Sequence, residues 1–283
     1  MWDLGCELGE GALWSSLDEA VWFVDIKKRQ IHRFRDDERR SWQAPEQVGF
    51  VLPAADGTWI AGLQSGLSRF DPESGLFDRL VPPDDHGSSQ RLNDGYVDFD
   101  GRLWFGSMND SEAPGGGKLY RLLSDGTCRV LDAPYTIPNG PAMSPDGRTF
   151  YHTETSERVI YAFDVAADGA LSNRRPFVRI ARAGAFPDGP LVDAEGCLWT
   201  ALFGGWGLER YSPRGELIDY IRLPVPNVTK AAFGGPDLST LYVTTARLHM
   251  SPAARAAHPL AGGLFRLETE VPGLPLNQIR QGL

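Results

Sequence analysis

A turn followed by an aromatic-led apolar run recurs six times along this chain and leaves few architectures open. The copies read DEAVWFVDI (18–26), DGTWIAGL (56–63), DGRLWFGSM (100–108), DGRTFYHTE (146–154), EGCLWTALF (195–203) and DLSTLYVTT (237–245). Their leading aromatics, Trp22, Trp59, Trp104, Phe150, Trp199 and Tyr242, stand 37 to 49 residues apart. A second run follows each: QIHRF (30–34), GLSRF (66–70), KLYRL (118–122), VIYAF (159–163), GLERY (207–211) and GLFRL (263–267). Both kinds of run are short, alternating and rich in aromatic and β-branched residues, the side chains that suit a pleated, half-buried surface. A unit of roughly 40–50 residues holding about four strands is a propeller blade, since one such sheet cannot bury its apolar faces without neighbours.

The expectation is an all-β, six-bladed β-propeller with four antiparallel strands per blade, a single domain spanning residues 1–283. Unrelated hairpins arranged as two β-sandwiches would not account for the even spacing. The leftover N-terminal segment, about residues 2–7, is expected to supply the outer strand of the last blade and close the ring. Residues 251–258, SPAARAAH, are read as one short turn of helix. Composition agrees with this reading. Hydrophobic residues make up 42% of the chain, and 32 Gly and 21 Pro are dispersed, as a fold with many tight turns requires.

Charge and cysteine content exclude several classes. The formal charge is −9, and no basic stripe exists that would displace counterions from a duplex. Neither nucleic acid nor an anionic membrane is an expected partner, whereas a small neutral molecule is compatible. No stretch approaches the length of an apolar span, and MWDLGCELGEG has neither a basic nor an apolar leader segment. A soluble, cytoplasmic monomer is the expectation. Cys6, Cys128 and Cys197 are odd in number and far apart, so neither a disulfide framework nor a thiolate zinc site is expected. His32, His86, His152, His249 and His258 show no paired metal-ligand spacing and are read as surface or packing residues. The chain lacks a G-x-S-x-G elbow, and GGGK at 115–118 lacks the Ser/Thr of a phosphate loop.

In a propeller the first strand of each blade lines the central channel. Counting back 11 or 12 residues from each leading aromatic gives Glu10, Val48, Asn93, Asn139, Asp188 and Lys230. Two carboxylates, two amides and a lysine therefore converge on one end of the channel. Glu10 and Asp188 would repel each other unless a cation lay between them. Carboxylate and amide oxygens are hard ligands, suited to Ca²⁺, Mg²⁺, Mn²⁺, Zn²⁺ or Fe²⁺. Taken singly, Asn139-Gly140 and Asp188-Gly189 would be ordinary turns; the shared offset makes them a candidate site.

Seven segments in order, LGEGALW, RLNDGYVD, LWFGSM, IPNGPAMSPDG, FPDGPLVDAEGCLW, AAFGGPDLSTLYVTTAR and LAGGLFRL, cover nearly the whole chain. Together they resemble the regucalcin/gluconolactonase family of sugar lactonases. VDIKKRQIHRF, QVGFVLP, TFYHTET, FDVAADGALSN and PNVTKAAFGGPDL are most similar to its bacterial pentonolactonases of the xylonolactonase type. The resemblance implies a metal-dependent lactonase acting on a pentonolactone, such as D-xylonolactone or L-arabinonolactone, or on gluconolactone. It implies one divalent ion (Fe²⁺, Zn²⁺, Mn²⁺ or Ca²⁺) held by Glu10, Asn139 and Asp188, and a substrate pocket using Arg91 and Asn93. Asp188 is then the expected general base, Asn109 and Lys230 further substrate contacts, and the Gly-rich loop 109–117 a lid. Relatives of regucalcin carry an acidic residue in that loop. Here it reads SMNDSEAPGGG and the aligned position is Ser111, flanked by Asp110 and Glu112, so Ser111 and Glu112 are the candidates there. The alternative reading is a non-catalytic metal-binding propeller acting as a binding or regulatory protein.

Overall fold

Each repeat forms a meander in which consecutive strands pair antiparallel, most of them joined by turns too short for any other connection. The computed structural model describes residues 1–280 apart from 37, 81, 84 and 85. Five sheets of four strands and one of three make six blades. Their inner strands are Gly9–Ser15, Val48–Pro53, Gln90–Val97, Pro138–Met143, Phe186–Val192 and Val228–Gly234. These strands pack side by side around a central channel, so the expected architecture is the observed one.

The leading aromatics do the work of joining blades. Trp22 of blade 1 stacks on Trp59 of blade 2 at 4.1 Å, and Trp104 of blade 3 meets Phe150 of blade 4 at 4.7 Å. Trp199 of blade 5 packs edge-on against Phe233 of blade 6, and Tyr242 of blade 6 stacks on Trp14 of blade 1. Each ring takes roughly 150–250 Å² out of water, so these pairs seal four of the six seams between blades. In blades 1, 3 and 5 a turn aspartate fixes the indole. Asp18, Asp98 and Asp193 accept from Nε1 of Trp22, Trp104 and Trp199 at 3.1, 2.9 and 2.9 Å.

Ring closure is slighter than the sequence suggests. The third strand of blade 6 is Phe265–Glu268, and the N-terminal segment joins it by a single antiparallel bridge, Trp2 with Leu264. Cys6 N–H adds one bond to the Gly262 carbonyl, 2.8 Å. Residues 3–7 form no strand, and Glu7 pairs with Arg255 through two hydrogen bonds. Arg255 belongs to the one helix among the described residues, Pro252–Ala257, capped by the Ser251 side chain. That helix sits in the long loop between the second and third strands of blade 6.

A feature absent from the sequence reading closes the other end of the channel. After blade 6 the chain crosses the ring. Gly273 N–H bonds the Leu238 carbonyl, Asn277 reaches the Val97 carbonyl, and Ile279 pairs with Ala54 in parallel. Leu274, Pro275 and Leu276 then cover an apolar cavity of about 130 Å³ walled by Leu52, Val97, Met143, Val192 and Phe233. Cys6, Cys128 and Cys197 are buried, and none of them forms a disulfide. Among the described residues no helix is long and apolar enough to cross a membrane.

Candidate functional site

Every inner strand breaks register with its neighbour once, at the same level of the channel. The slips fall between Glu10 and Leu13, Val48 and Phe50, Leu92 and Gly95, Asn139 and Ala142, Pro187 and Pro190, and Val228 and Lys230. A bulge inserts one extra residue and re-aims the side chains beside it. Residues that strict alternation would divide between the two faces of a blade are thereby turned toward the axis. Gly140 shows why the local sequence must be what it is. It adopts φ 85°, and a Cβ there would stand 2.6 Å from Pro190 Cγ of the next blade.

The result is a cavity of about 390 Å³ at the open end of the channel, a size suited to a small ligand. Glu10, Asn93, Asn139 and Asp188 form its polar floor, and Leu8, Met108, Ile137, Phe186, Phe203 and Leu248 its apolar wall. Glu10, Asn139 and Asp188 are nearly fully buried. Glu10 accepts one hydrogen bond, from Gly11 N–H at 3.0 Å, and Asp188 one, from Gly189 N–H at 3.0 Å. Among the described residues neither carboxylate has an ion-pair partner. Burial, with the nearby Asp94 charge adding to it, pushes the Glu10 carboxyl up to about 7. Asp188 is raised well above the usual carboxylate range by burial and by the facing charges of Glu10 and Asp94.

A relay of hydrogen bonds crosses three blades beside these carboxylates. Arg91 donates from Nε to Asp110 at 2.9 Å and from its guanidinium tip to Asn93 Oδ1 at 2.5 Å. Asn93 Nδ2 donates to Asn139 Oδ1 at 2.9 Å, and Asn139 Nδ2 to Thr155 Oγ1 at 2.9 Å. Thr155 donates in turn to the carbonyl of Pro187, the residue before Asp188, at 2.7 Å. Each amide is thus held in one orientation by its partners on both sides. Burial pulls the Arg91 guanidinium down from its ordinary value, and Asp110 opposes that pull. Asp110 is the hub of the rim, because Lys27 and Gln47 also bond it, at 2.6 and 2.9 Å.

The structure brings together Glu10, Asn139, Asp188, Arg91, Asn93 and Glu112 around one cavity. The three other sequence candidates, Asn109, Ser111 and Lys230, lie outside its lining. Asn109 bonds Ser111, accepting from its N–H and its hydroxyl at 2.9 and 2.6 Å, so both polar groups close their own turn. Lys230 points away from the pocket and pairs with Asp94, lining the apolar cavity below. Glu112, in the 109–117 loop, reaches across the mouth to His249 at 3.3 Å. Asp94, Lys27, Thr155 and His249 were not singled out from sequence. Asp94 adjoins Asn93 in RLNDG, and that adjacency to a site residue is the only local signal it carries. His249, one of the histidines read as surface or packing residues, is exposed at the pocket mouth, and nothing local to it signals a pocket.

The donor set fits a hard divalent cation. Two buried carboxylates without a counter-charge and an oriented amide oxygen are the ligand chemistry such an ion takes, and the two negative charges match it. Among the described residues no group of three or more His, Cys, Asp and Glu side chains forms a metal cluster, so any ion here depends on the amide.

Comparison with known proteins places the whole chain. The family model described as SMP-30/gluconolactonase/LRE-like region matches residues 8–247. The chain is 35% identical over 269 residues to 6-deoxy-6-sulfogluconolactonase of Pseudomonas putida, covering 94% of this chain and 92% of that one. It is 36% identical over 273 residues to L-arabinolactonase of Azospirillum brasilense, with 94% and 90% covered. A solved structure described as a calcium-binding protein, regucalcin, from Agrobacterium tumefaciens superposes with a TM-score of 0.93 at 28% identity, covering 98% and 95%.

Proposed function

Because the chain belongs to the SMP-30/gluconolactonase/LRE-like family, we propose that it hydrolyses the ring ester of a sugar lactone, with one divalent cation as cofactor. The observation that carries this reading is the pair of buried, uncompensated carboxylates, Glu10 and Asp188, on the floor of a pocket of about 390 Å³. The relatives named as lactonases for a sulfogluconolactone and for L-arabinolactone support the substrate class. A pentonolactone such as D-xylonolactone or L-arabinonolactone is the preferred substrate, with gluconolactone next.

Glu10, Asn139 and Asp188 would hold the cation, which is Fe²⁺, Zn²⁺, Mn²⁺ or Ca²⁺. When bound, it supplies Lewis-acid polarisation of the lactone carbonyl and makes nearby water more acidic. Asp188 takes a proton from the attacking water as general base. The water oxygen bonds the carbonyl carbon, the ring C–O bond breaks, and the ring oxygen receives the proton as the new hydroxyl. The product is the open aldonic acid. Arg91, locked by Asp110 and Asn93, offers fixed N–H donors to the ring oxygen and hydroxyls, and Asn93, whose two amide N–H groups bond Pro138 and Asn139, offers its Oδ1 as an acceptor for a hydroxyl. Phe186 and Phe203 give the pocket an apolar wall beside those groups.

Proton release from D-xylono-, L-arabino- and gluconolactone in weak buffer tests the reading, after chelation and then with each ion restored. Spontaneous ring opening is subtracted. Hydrolysis restored by an ion and lost in Asp188→Ala is the expected result. Metal binding without any rate above background would instead support a non-catalytic binding propeller.

A further inference from the structure

Directly beneath the candidate site a buried ion pair spans the channel. Lys230 enters from the inner strand of blade 6, and its ammonium donates to both carboxylate oxygens of Asp94 on blade 3. Both residues are buried. The aliphatic stem of Lys230 lies flat on Gly189 of blade 5, where an added Cβ would stand 2.8 Å from Lys230 Cγ and 3.0 Å from Cδ. Asp94 also accepts from the backbone N–H of Gly140 on blade 4, at 2.9 Å. Gly140 and Gly189 are the residues that follow Asn139 and Asp188. One pair therefore ties four blades and touches the neighbour of two of the three candidate ligands.

We propose that Asp94 and Lys230 are the positioning pair of this site. They hold the bulges of blades 4 and 5 in the register that turns Asn139 and Asp188 toward Glu10, and neither touches substrate. The inference rests on the metal-site reading above. Two physical arguments carry it. A buried ion pair returns little net stability over well-packed apolar side chains, so its value here lies in fixed geometry. The pair is also neutral within itself, which leaves Glu10 and Asp188 as the uncompensated charges that a divalent ion would balance. A direct substrate contact by Lys230 would need its ammonium in the pocket, and the structure places it in the cavity below.

The test compares the parent with Lys230→Met, Asp94→Asn and the double variant Asp94→Asn with Lys230→Met, in which the amide oxygen can still accept from the backbone N–H of Gly95 or Gly140. Each single change strands a buried charge and can unfold the protein, whereas the double change removes both charges and keeps the volume filled. Mn²⁺ affinity is measured by titration calorimetry, lactone hydrolysis by kcat and KM, and backbone hydrogen exchange on the metal-free proteins. The double variant should keep a thermal midpoint close to the parent's yet bind Mn²⁺ about tenfold or more weakly, the scale seen when groups supporting metal ligands are lost. Its kcat should fall with KM unchanged, and segments 138–143 and 186–192 should exchange faster.

Mn²⁺ affinity and exchange equal to the parent's in the folded double variant would overturn the proposal. So would a rise in KM alone in Lys230→Met, which would make Lys230 a substrate contact. Affinity moving in opposite directions in the two single variants, with the double variant unchanged, would reduce the pair to its charges and also overturn it. A parent that binds Mn²⁺ but does not open lactones refutes the lactonase reading while the affinity comparison stands. A parent that binds no Mn²⁺ refutes the metal reading, and the exchange comparison still decides whether the pair sets the backbone.

Discussion

The two ends of the central channel are built from the same six strands and share almost nothing in chemistry. At the open end the strands begin with Glu10, Asn93, Asn139 and Asp188, each beside a bulge and each buried. Toward the other end the same strands carry Leu52, Val97, Met143, Val192 and Phe233, in regular register and covered by the C-terminal segment. The regular end obeys the ordinary rule that apolar surface is taken out of water, and it holds the ring together. The bulged end breaks that rule at four side chains, Glu10, Asn93, Asn139 and Asp188. Buried charge without a partner is costly, so such carboxyls either take up a proton or pair with a ligand of opposite charge.

This contrast predicts that the ends separate under mutation. The largest effect belongs to the open end. Asp188→Ala or Glu10→Ala should lower metal-restored turnover by roughly three orders of magnitude, the scale of losing a group that acts on the transition state. Circular dichroism should meanwhile show an intact propeller. Loss of the fold in either variant would mean that the two ends are not independent. At the closed end, Phe233→Ala should cost about 3–5 kcal/mol of stability by emptying the packing between blades 5 and 6. Denaturant titration measures that loss, and kcat should be unchanged.

Acidity divides the two ends again. The Glu10 carboxyl is raised by burial to about 7, so the metal-free fold prefers its protonated form. Its stabilising contribution is fully present below the ordinary value of 4.5 and disappears as the pH rises through 7. The metal-free parent should therefore lose thermal stability between about pH 5 and about pH 8 more steeply than Glu10→Gln, as calorimetry would record. Cation binding must displace the same protons, so affinity should rise with pH across that window. Equal slopes in parent and variant would show that Glu10 is not the group titrating.

Smaller effects belong to the rim. Arg91→Ala should raise KM by about tenfold, the loss of one charged hydrogen bond, with kcat less affected. The Glu112–His249 contact is largely exposed, so His249→Ala should change kcat/KM by no more than a few-fold, within about 1 kcal/mol for a surface pair. A larger effect would place the 109–117 loop closer to the chemistry than its self-contained turn suggests.

The six blades were legible in the chain because strand pattern and turn residues are local properties, written into stretches of ten residues. One aromatic per repeat set the spacing, and the structure uses those same rings between blades. Glu10, Asn139 and Asp188 were legible for a related reason, since equal offsets from equivalent aromatics reach one level of the channel. The offset failed at Lys230. It lies just past its own bulge, and its long stem carries the ammonium down to Asp94 instead of up into the pocket. The bulges have no single-residue signature, for they arise where neighbouring backbones must slip past one another. The same holds for the C-terminal cover, the one-bridge closure at Trp2, and His249 at the mouth, whose positions depend on residues more than a hundred places away. Local pattern determines which strands form. Only the assembled ring decides which side chains meet, because burial, charge and register act across the channel and not along the chain.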